Sequence, residues 1–315
     1  MKIAILDDYQ RVARGLAEWE RLPAGSELQV FHEHLGDEDA VAAALRPFDV
    51  LVIMRERTPV PASLIERLPN LKLLVTTGMR NLAVDLDACR VRGIPVCGTA
   101  IGGTPTAELT WGLILALAKR IPVEDRALRE GRWQTGLTRT MAGRRLGVVG
   151  LGKLGAQVAK VGLAFGMEVV AWSQNLTDAR AAEVGVRRVE KQELFATSDV
   201  VTLHLVLGER TRGVVGAAEL AAMKPTAWFV NTARAGLVDE AALLDALDKR
   251  HIAGAALDVF SVEPLPPGHP LLALDNTVLT PHVGYVTEEN YATFYREALE
   301  DILAWTEGRV VRPLT

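Results

Sequence analysis

The sequence predicts an α/β protein built from two doubly wound, parallel-sheet domains. Three observations lead there. Its 315 residues exceed one typical domain and suit two. Short β-rich runs alternate with helix-length amphipathic runs from end to end, the pattern of parallel strands joined by helical crossovers. Two successive sets of strands are divided by a cluster of Gly98, Gly102, Gly103 and Pro105.

In the first set, strands are expected at residues 3–6, 28–31, 50–53, 73–76 and 94–96, with helices in the gaps. The boundary follows at residues 98–104. Residues 106–118 are then apolar on nearly every face, which predicts a helix buried between domains or between subunits. Six further strands are expected at 145–149, 169–172, 200–203, 228–230, 254–257 and 278–279. The last element, 288–305, sets Tyr291, Phe294, Tyr295, Ala298, Leu299, Ile302 and Leu303 at helical spacing, and this helix is expected to pack back on the first domain. The expected division is therefore 1–100 plus 286–315 against 101–285.

Composition narrows the function classes. A 49% hydrophobic, 23% charged chain with a formal charge of -4 reads as an ordinary soluble globular protein without the cationic surplus that nucleic acid requires. Cys89 and Cys97 are too sparse for a disulfide framework and read as free, buried thiols in a reducing cytoplasm. Asp7 and Asp8 interrupt the short N-terminal apolar run, which excludes a signal-peptide core there, and the stretch 111–118 is too short to span a bilayer. No membrane partner is expected.

The most informative local signal is Gly150-Leu-Gly152-Lys153-Leu154-Gly155, placed after a strand and opening a helix. Gly150 permits a tight turn, Gly152 lets the backbone approach a pyrophosphate, and Gly155 allows helix-on-strand packing in a Rossmann-like domain. The helix N-terminus offers unpaired N–H groups to the phosphates. At the end of the next strand, where an acid usually binds the ribose of NAD, stand Ser173, Gln174 and Asn175. Without a carboxylate to repel a 2'-phosphate, the reading leans to NADP, with NAD the alternative. Arg180 is near enough in sequence to grip a phosphate, but it reads first as a solvated helix-face side chain.

Three later segments end strands of the second domain: Asn231-Thr232-Ala233-Arg234, Asp258 through Glu263-Pro264, and Thr280-Pro-His282-Val-Gly284. Open parallel sheets bind ligands beyond their carboxyl edge, so these segments form one candidate site. With the glycine fingerprint, they resemble the D-isomer-specific 2-hydroxyacid dehydrogenases, the family of D-lactate, glyoxylate/hydroxypyruvate and phosphoglycerate dehydrogenases. Thr77-Gly78 through Asp85, Arg92-Gly-Ile-Pro-Val96 and Thr106-Ala-Glu108 match its earlier landmarks, so the resemblance covers nearly the whole chain. It implies Rossmann-like and flavodoxin-like domains, the first binding substrate and the second the dinucleotide, and a homodimer associating through the 106–118 helix. It also implies that Arg234, Glu263 and His282 are catalytic and that Asp258 holds the nicotinamide carboxamide. His204, Thr211, Thr232 and Ala233 complete the expected cofactor set.

The chemistry needs those residue types. Hydride arriving at a 2-oxo carbon leaves negative charge on oxygen, so a proton donor titrating near neutrality must stand beside it, the role of His282. A carboxylate on the other ring nitrogen fixes the tautomer, the role of Glu263. A guanidinium binds the substrate carboxylate in bidentate fashion, the role of Arg234. From the first domain, Arg55, Arg57, Met79 and Arg80 are expected at the substrate, with N–H groups around Gly78 as a small anion nest. Tyr285 is expected to shape the pocket beside His282.

Ala235, Val206 and Tyr285 depart from residues common in the family, which bears on substrate identity more than on reaction type. With the sequence read to Thr315, the regulatory domain of longer phosphoglycerate dehydrogenases is not expected. Glu263 argues against a formate dehydrogenase, which has glutamine there. The rival from another class is a dinucleotide-sensing, corepressor-like protein with the same triad. His32 and His34 alternate as a two-ligand metal face on a strand would, but no third ligand is in view. Solvated side chains are the preferred reading, and no metal is expected.

Overall fold

The computed structural model describes residues 1–314, which divide into two compact units: Met1–Gly103 together with the segment from Val286, and Thr104–Tyr285. In unit 1, strands β1 (Lys2–Ile5), β2 (Glu27–Val30), β3 (Val50–Ile53), β4 (Leu73–Thr76) and β5 (Val96–Gly98) alternate with helices α1 (Glu38–Leu45), α2 (Ala62–Arg67) and α3 (Leu86–Val91). In unit 2, α4 (Pro105–Ala118) and α5 (Ile121–Arg129) precede β6 (Arg145–Val149), α6 (Lys153–Ala164), β7 (Glu168–Trp172), α7 (Asp178–Val184) and β8 (Arg187–Arg188). The same unit continues through α8 (Lys191–Thr197), β9 (Val200–Leu203), α9 (Ala217–Ala222), β10 (Trp228–Asn231), α10 (Glu240–Asp248), β11 (Gly254–Leu257) and β12 (Thr277–Leu279). The chain then returns to unit 1 as α11 (Glu288–Thr306).

Unit 1 is a parallel sheet of order β2-β1-β3-β4-β5. Its inner strands are apolar runs because both faces are covered: every residue of β3 and β4 is buried. α11 lies against β4 with Phe294, Tyr295 and Ile302 fully buried. The chain beyond α11 pairs antiparallel with β5, Leu314 N donating to Val96 O (2.8 Å) and Gly98 N to Arg312 O (2.9 Å). Arg312 holds this return by pairing with the buried Asp301 at 3.0 Å.

Unit 2 has the order β12-β11-β10-β9-β6-β7-β8, all parallel, so strand order reverses between β6 and β9. Such a switch point opens a crevice at the carboxyl ends of the strands. The sheet has seven strands where the sequence suggests six. β8 is two arginines with no apolar signal, and only its pairing with β7 makes it a strand. α4 needs no second body to cover its main apolar face. Ala107, Trp111, Leu113, Ile114 and Ala118 are buried within unit 2, where the Trp111 indole donates to Val158 O (3.1 Å) and stacks on Phe165. Leu109, Leu115 and Leu117 stay partly exposed. Among the described residues, no helix is long and apolar enough to cross a membrane.

Candidate active site

The glycine fingerprint sits at the switch point. Gly150 follows β6 at φ +101°, and a Cβ there would lie 2.8 Å from the backbone carbonyl carbon of His204 at the end of β9. A Cβ on Gly155 would lie 1.9 Å from Gly150 O, so only glycine lets α6 approach its strand. Gly152 caps α6 without a side-chain hydrogen bond and faces open space, and Lys153, the first helical residue, is exposed. The first-turn N–H groups of α6, Lys153, Leu154 and Gly155, thus have no capping side chain. Together with the bare glycine surface they fit a pyrophosphate.

The rest of the expected cofactor set divides. Burial pushes the His204 imidazole down to about 4, and its Nε2 lies 3.0 Å from Thr202 Oγ1, so the ring is neutral at physiological pH. Ser173, Gln174 and Asn175 form an acid-free turn closed by Leu176 N donating to Ser173 O (3.1 Å). Arg180 is engaged by Glu183 at 2.7 Å. Thr232 Oγ1 lies 2.8 Å from Thr110 Oγ1, linking β10 to α4. The Thr211 hydroxyl donates to Val206 O (2.7 Å), tying up its own loop.

The ends of the neighbouring strands β10, β11 and β12 carry the ionisable residues. Beyond β12, His282 holds φ +52°, a left-handed backbone that non-glycine residues adopt at a cost. Its Nδ1 lies 2.6 Å from Glu263 Oε2, while Glu263 Oε1 accepts Phe260 N–H (2.9 Å). Both carboxylate oxygens of Glu263 are therefore occupied, and the imidazole is held through one nitrogen only. Its Nε2 has no hydrogen-bond partner among the described residues. Tyr285 meets the His282 ring edge-on at 5.6 Å. At the end of β10, the Asn231 amide accepts from Ala233 N (3.0 Å) and donates to Arg234 O (3.0 Å), fixing the turn from which Arg234 projects.

Asp258 is fully buried, and its carboxylate organises the His282 loop. Oδ1 accepts from the Thr280 hydroxyl (2.6 Å) and Val283 N (2.8 Å), and Oδ2 accepts from Gly284 N (2.9 Å). Burial nonetheless pushes its pKa above the usual carboxylate range. Thr106, on α4, donates to Gly284 O (2.9 Å) from the other side. Thr110 is absent from the set expected from sequence, and Asn231, Thr280 and Thr106 stand there only as motif members without a role of their own; the one signal of all four is a place in or beside those motifs at strand or helix ends.

In unit 1 the expected substrate residues gather at the carboxyl ends of β3 and β4. Arg55 has φ +53°, donates N–H to Thr77 Oγ1 (3.0 Å) and accepts from Asn81 Nδ2 (2.7 Å). Its guanidinium lies so close to Gly78 that a Cβ there would be 2.1 Å from Nη1. Arg57 donates to Asp7 O (2.9 Å) and stacks over Tyr9 at 4.7 Å. Met79 and Arg80 are exposed. The anion nest needs correction, because Gly78 N–H already donates to Thr99 Oγ1 at 3.0 Å. His32 and His34 lie past the end of β2 rather than on a strand, and are largely covered rather than solvated. His32 Nδ1 is 3.1 Å from Asp8 O, and the two side chains are 30% and 28% exposed. No group of three metal-ligating side chains forms among the described residues.

Residues 111–284 match the family described as D-isomer specific 2-hydroxyacid dehydrogenase, NAD binding domain. The chain is 37% identical over 281 residues to a hydroxypyruvate reductase of Thermotoga maritima, covering 88% of this chain and 90% of that one. It is 38% identical over 264 residues to a D-3-phosphoglycerate dehydrogenase of Archaeoglobus fulgidus, covering 83% of this chain and 50% of the relative, so it spans about half that relative's length. A solved phosphoglycerate oxidoreductase from Vibrio cholerae o395 superposes with a TM-score of 0.92 at 40% identity, covering 98% of this chain and all (100%) of that one.

The Asp258 network predicts that Asp258→Ala strands three donors, of which Gly284 N–H is buried, and destabilises the protein by at least about 1–3 kcal/mol, the cost of one buried unsatisfied donor. Urea denaturation measures this, and unchanged stability would show that the loop does not depend on the carboxylate.

Proposed function

Because this chain belongs to the D-isomer specific 2-hydroxyacid dehydrogenases, we propose that it interconverts a small 2-oxo acid and the matching D-2-hydroxy acid with a nicotinamide dinucleotide. The observation that carries the reading is the 2.6 Å hydrogen bond between His282 and Glu263. A bound dinucleotide supplies or accepts the hydride. In the reducing direction Glu263 keeps the His282 Nδ1 proton in place, so that Nε2 delivers a proton to the oxygen on which charge develops. Arg234 binds the substrate carboxylate through its planar pair of donors, and its charge also favours the developing oxyanion. Tyr285, packed on the imidazole, limits the space beside it.

Unit 2 is assigned to the dinucleotide and unit 1 to the substrate. Gly150, Gly152 and Gly155 receive the pyrophosphate, and Ser173, Gln174 and Asn175 the adenosine ribose. The acid-free turn favours NADP over NAD, because no carboxylate stands in the turn itself to oppose a 2'-phosphate. Arg55, Arg57, Met79 and Arg80 are assigned to the acid. The buried, unbridged Cys89 and Cys97 suit the reducing cytoplasm.

Assembly as a homodimer is part of the same reading. With most of α4 covered by its own unit, four exposed apolar side chains of unit 2 lie just beyond it: Ile121 (54%), Leu128 (58%), Trp133 (76%) and Leu137 (95%). Exposed apolar side chains this close together in the chain support an association surface there.

Two measurements test these assignments. With glyoxylate, hydroxypyruvate and phenylpyruvate as substrates, His282→Ala should lower kcat at least about a hundredfold, the usual contribution of a general acid. Arg234→Lys should mainly raise KM. Near-normal kinetics would remove either residue from its role, and tight dinucleotide binding by the unaltered protein without turnover of any 2-oxo acid would replace the dehydrogenase with a dinucleotide sensor. Sedimentation at micromolar concentration should give twice the 34.2 kDa chain mass, and a monomer would contradict the dimer.

A further inference from the structure

Beyond β7, the outermost strand of unit 2 brings a cation to the turn that replaces the ribose-binding acid. β8 pairs parallel with β7 in the register Ala171–Arg188, and Val189 N donates to Ala171 O at 3.0 Å. Arg188 therefore stands one strand out from β7 at the same carboxyl edge. Its Nε donates to Leu176 O (3.0 Å), the residue whose own N–H closes the turn onto Ser173 O. The guanidinium is thus anchored to the turn Ser173-Gln174-Asn175-Leu176 by main chain.

Its remaining valences are weakly committed. Nη2 pairs with Glu190 Oε1 at 2.8 Å, and the Glu190 side chain is 73% exposed, so this is a surface ion pair of little strength. Nη1 has no hydrogen-bond partner among the described residues. The other basic side chains nearby in sequence have no main-chain anchor at the turn: Arg180 has only a surface pair with Glu183 (2.7 Å), Arg187 pairs with Glu168 (3.6 Å) and Glu193 (3.0 Å), and Lys191 pairs with Glu219 (2.8 Å) while lying over the Trp172 ring. Arg188 alone combines a main-chain anchor at the turn with an easily exchanged partner.

We propose that Arg188 is a specificity residue that binds the 2'-phosphate of NADP, the phosphate displacing Glu190 from the guanidinium. The proposal rests on the reading that unit 2 binds a nicotinamide dinucleotide. A phosphate monoester carries roughly -1.5 to -2 charge at neutral pH and offers several acceptors to a planar pair of donors, so it outcompetes an exposed carboxylate.

Calorimetric titration of the whole protein with 2',5'-ADP and with 5'-AMP separates the phosphate from the rest of the nucleotide without any turnover. The unaltered protein should bind 2',5'-ADP more tightly than 5'-AMP. Arg188→Ala should weaken 2',5'-ADP about tenfold or more, the scale of one lost charge-assisted contact, and leave 5'-AMP within about twofold. Glu190→Gln, at an exposed position, should tighten 2',5'-ADP alone, and it decides the matter if Arg188→Ala fails to fold. If 5'-AMP binds but 2',5'-ADP is held no more tightly, or is indifferent to both substitutions, Arg188 is not the phosphate ligand while the dinucleotide site stands. If neither nucleotide binds the unaltered protein, the dinucleotide reading itself fails, and the proposal with it.

Discussion

A single hydrogen bond, 2.6 Å from Glu263 Oε2 to His282 Nδ1, decides what the site can do. An imidazole fixed at one nitrogen can exchange a proton only through the other, so in the proposed reaction the carboxylate makes the ring a directed donor. Much of the surrounding structure serves that geometry. Phe260 N–H restrains Glu263 from behind, and Asp258 gathers Thr280, Val283 and Gly284 around the strained backbone of His282. A left-handed histidine costs free energy, and it persists because the flanking residues on both sides are pinned to one buried carboxylate.

The same economy of contacts governs the cofactor end. Gly150 and Gly155 are required by close approaches to His204 and to each other, while Gly152 has room to spare. The fingerprint therefore does two jobs: two glycines close the strand–helix turn, and the third leaves backbone exposed to an anion. In the proposed reading, selectivity between dinucleotides falls outside it, to the turn after β7 and the strand beyond.

How much of this was readable from residues alone follows from the range of each interaction. Strands such as Val50–Ile53 and Val200–Leu203 announce themselves because burial on both faces demands continuous apolar runs. Arg234, Glu263 and His282 stand out because each lies past the end of a strand, β10, β11 and β12 in turn. What escaped notice depends on partners distant in the chain. The three donors to Asp258 lie 22, 25 and 26 residues away, and Thr99, which occupies the Gly78 N–H, lies 21 away. β8 consists of Arg187 and Arg188, whose strand character comes wholly from β7. The near-uniform apolarity of residues 106–118 exaggerated how much of that helix needed an outside partner, because Trp111 and Ile114 are spent on the helix's own sheet and α6.

Single-turnover reduction of a 2-oxo acid by protein preloaded with reduced dinucleotide, comparing Glu263→Gln with the unaltered chain, probes the bracing of His282 most directly. Hydride transfer should slow at least about tenfold while dinucleotide affinity stays within about twofold, because the amide cannot hold the imidazole in its proton-donating form. Equal transfer rates in the two proteins would show that His282 works without Glu263 and would contradict the account.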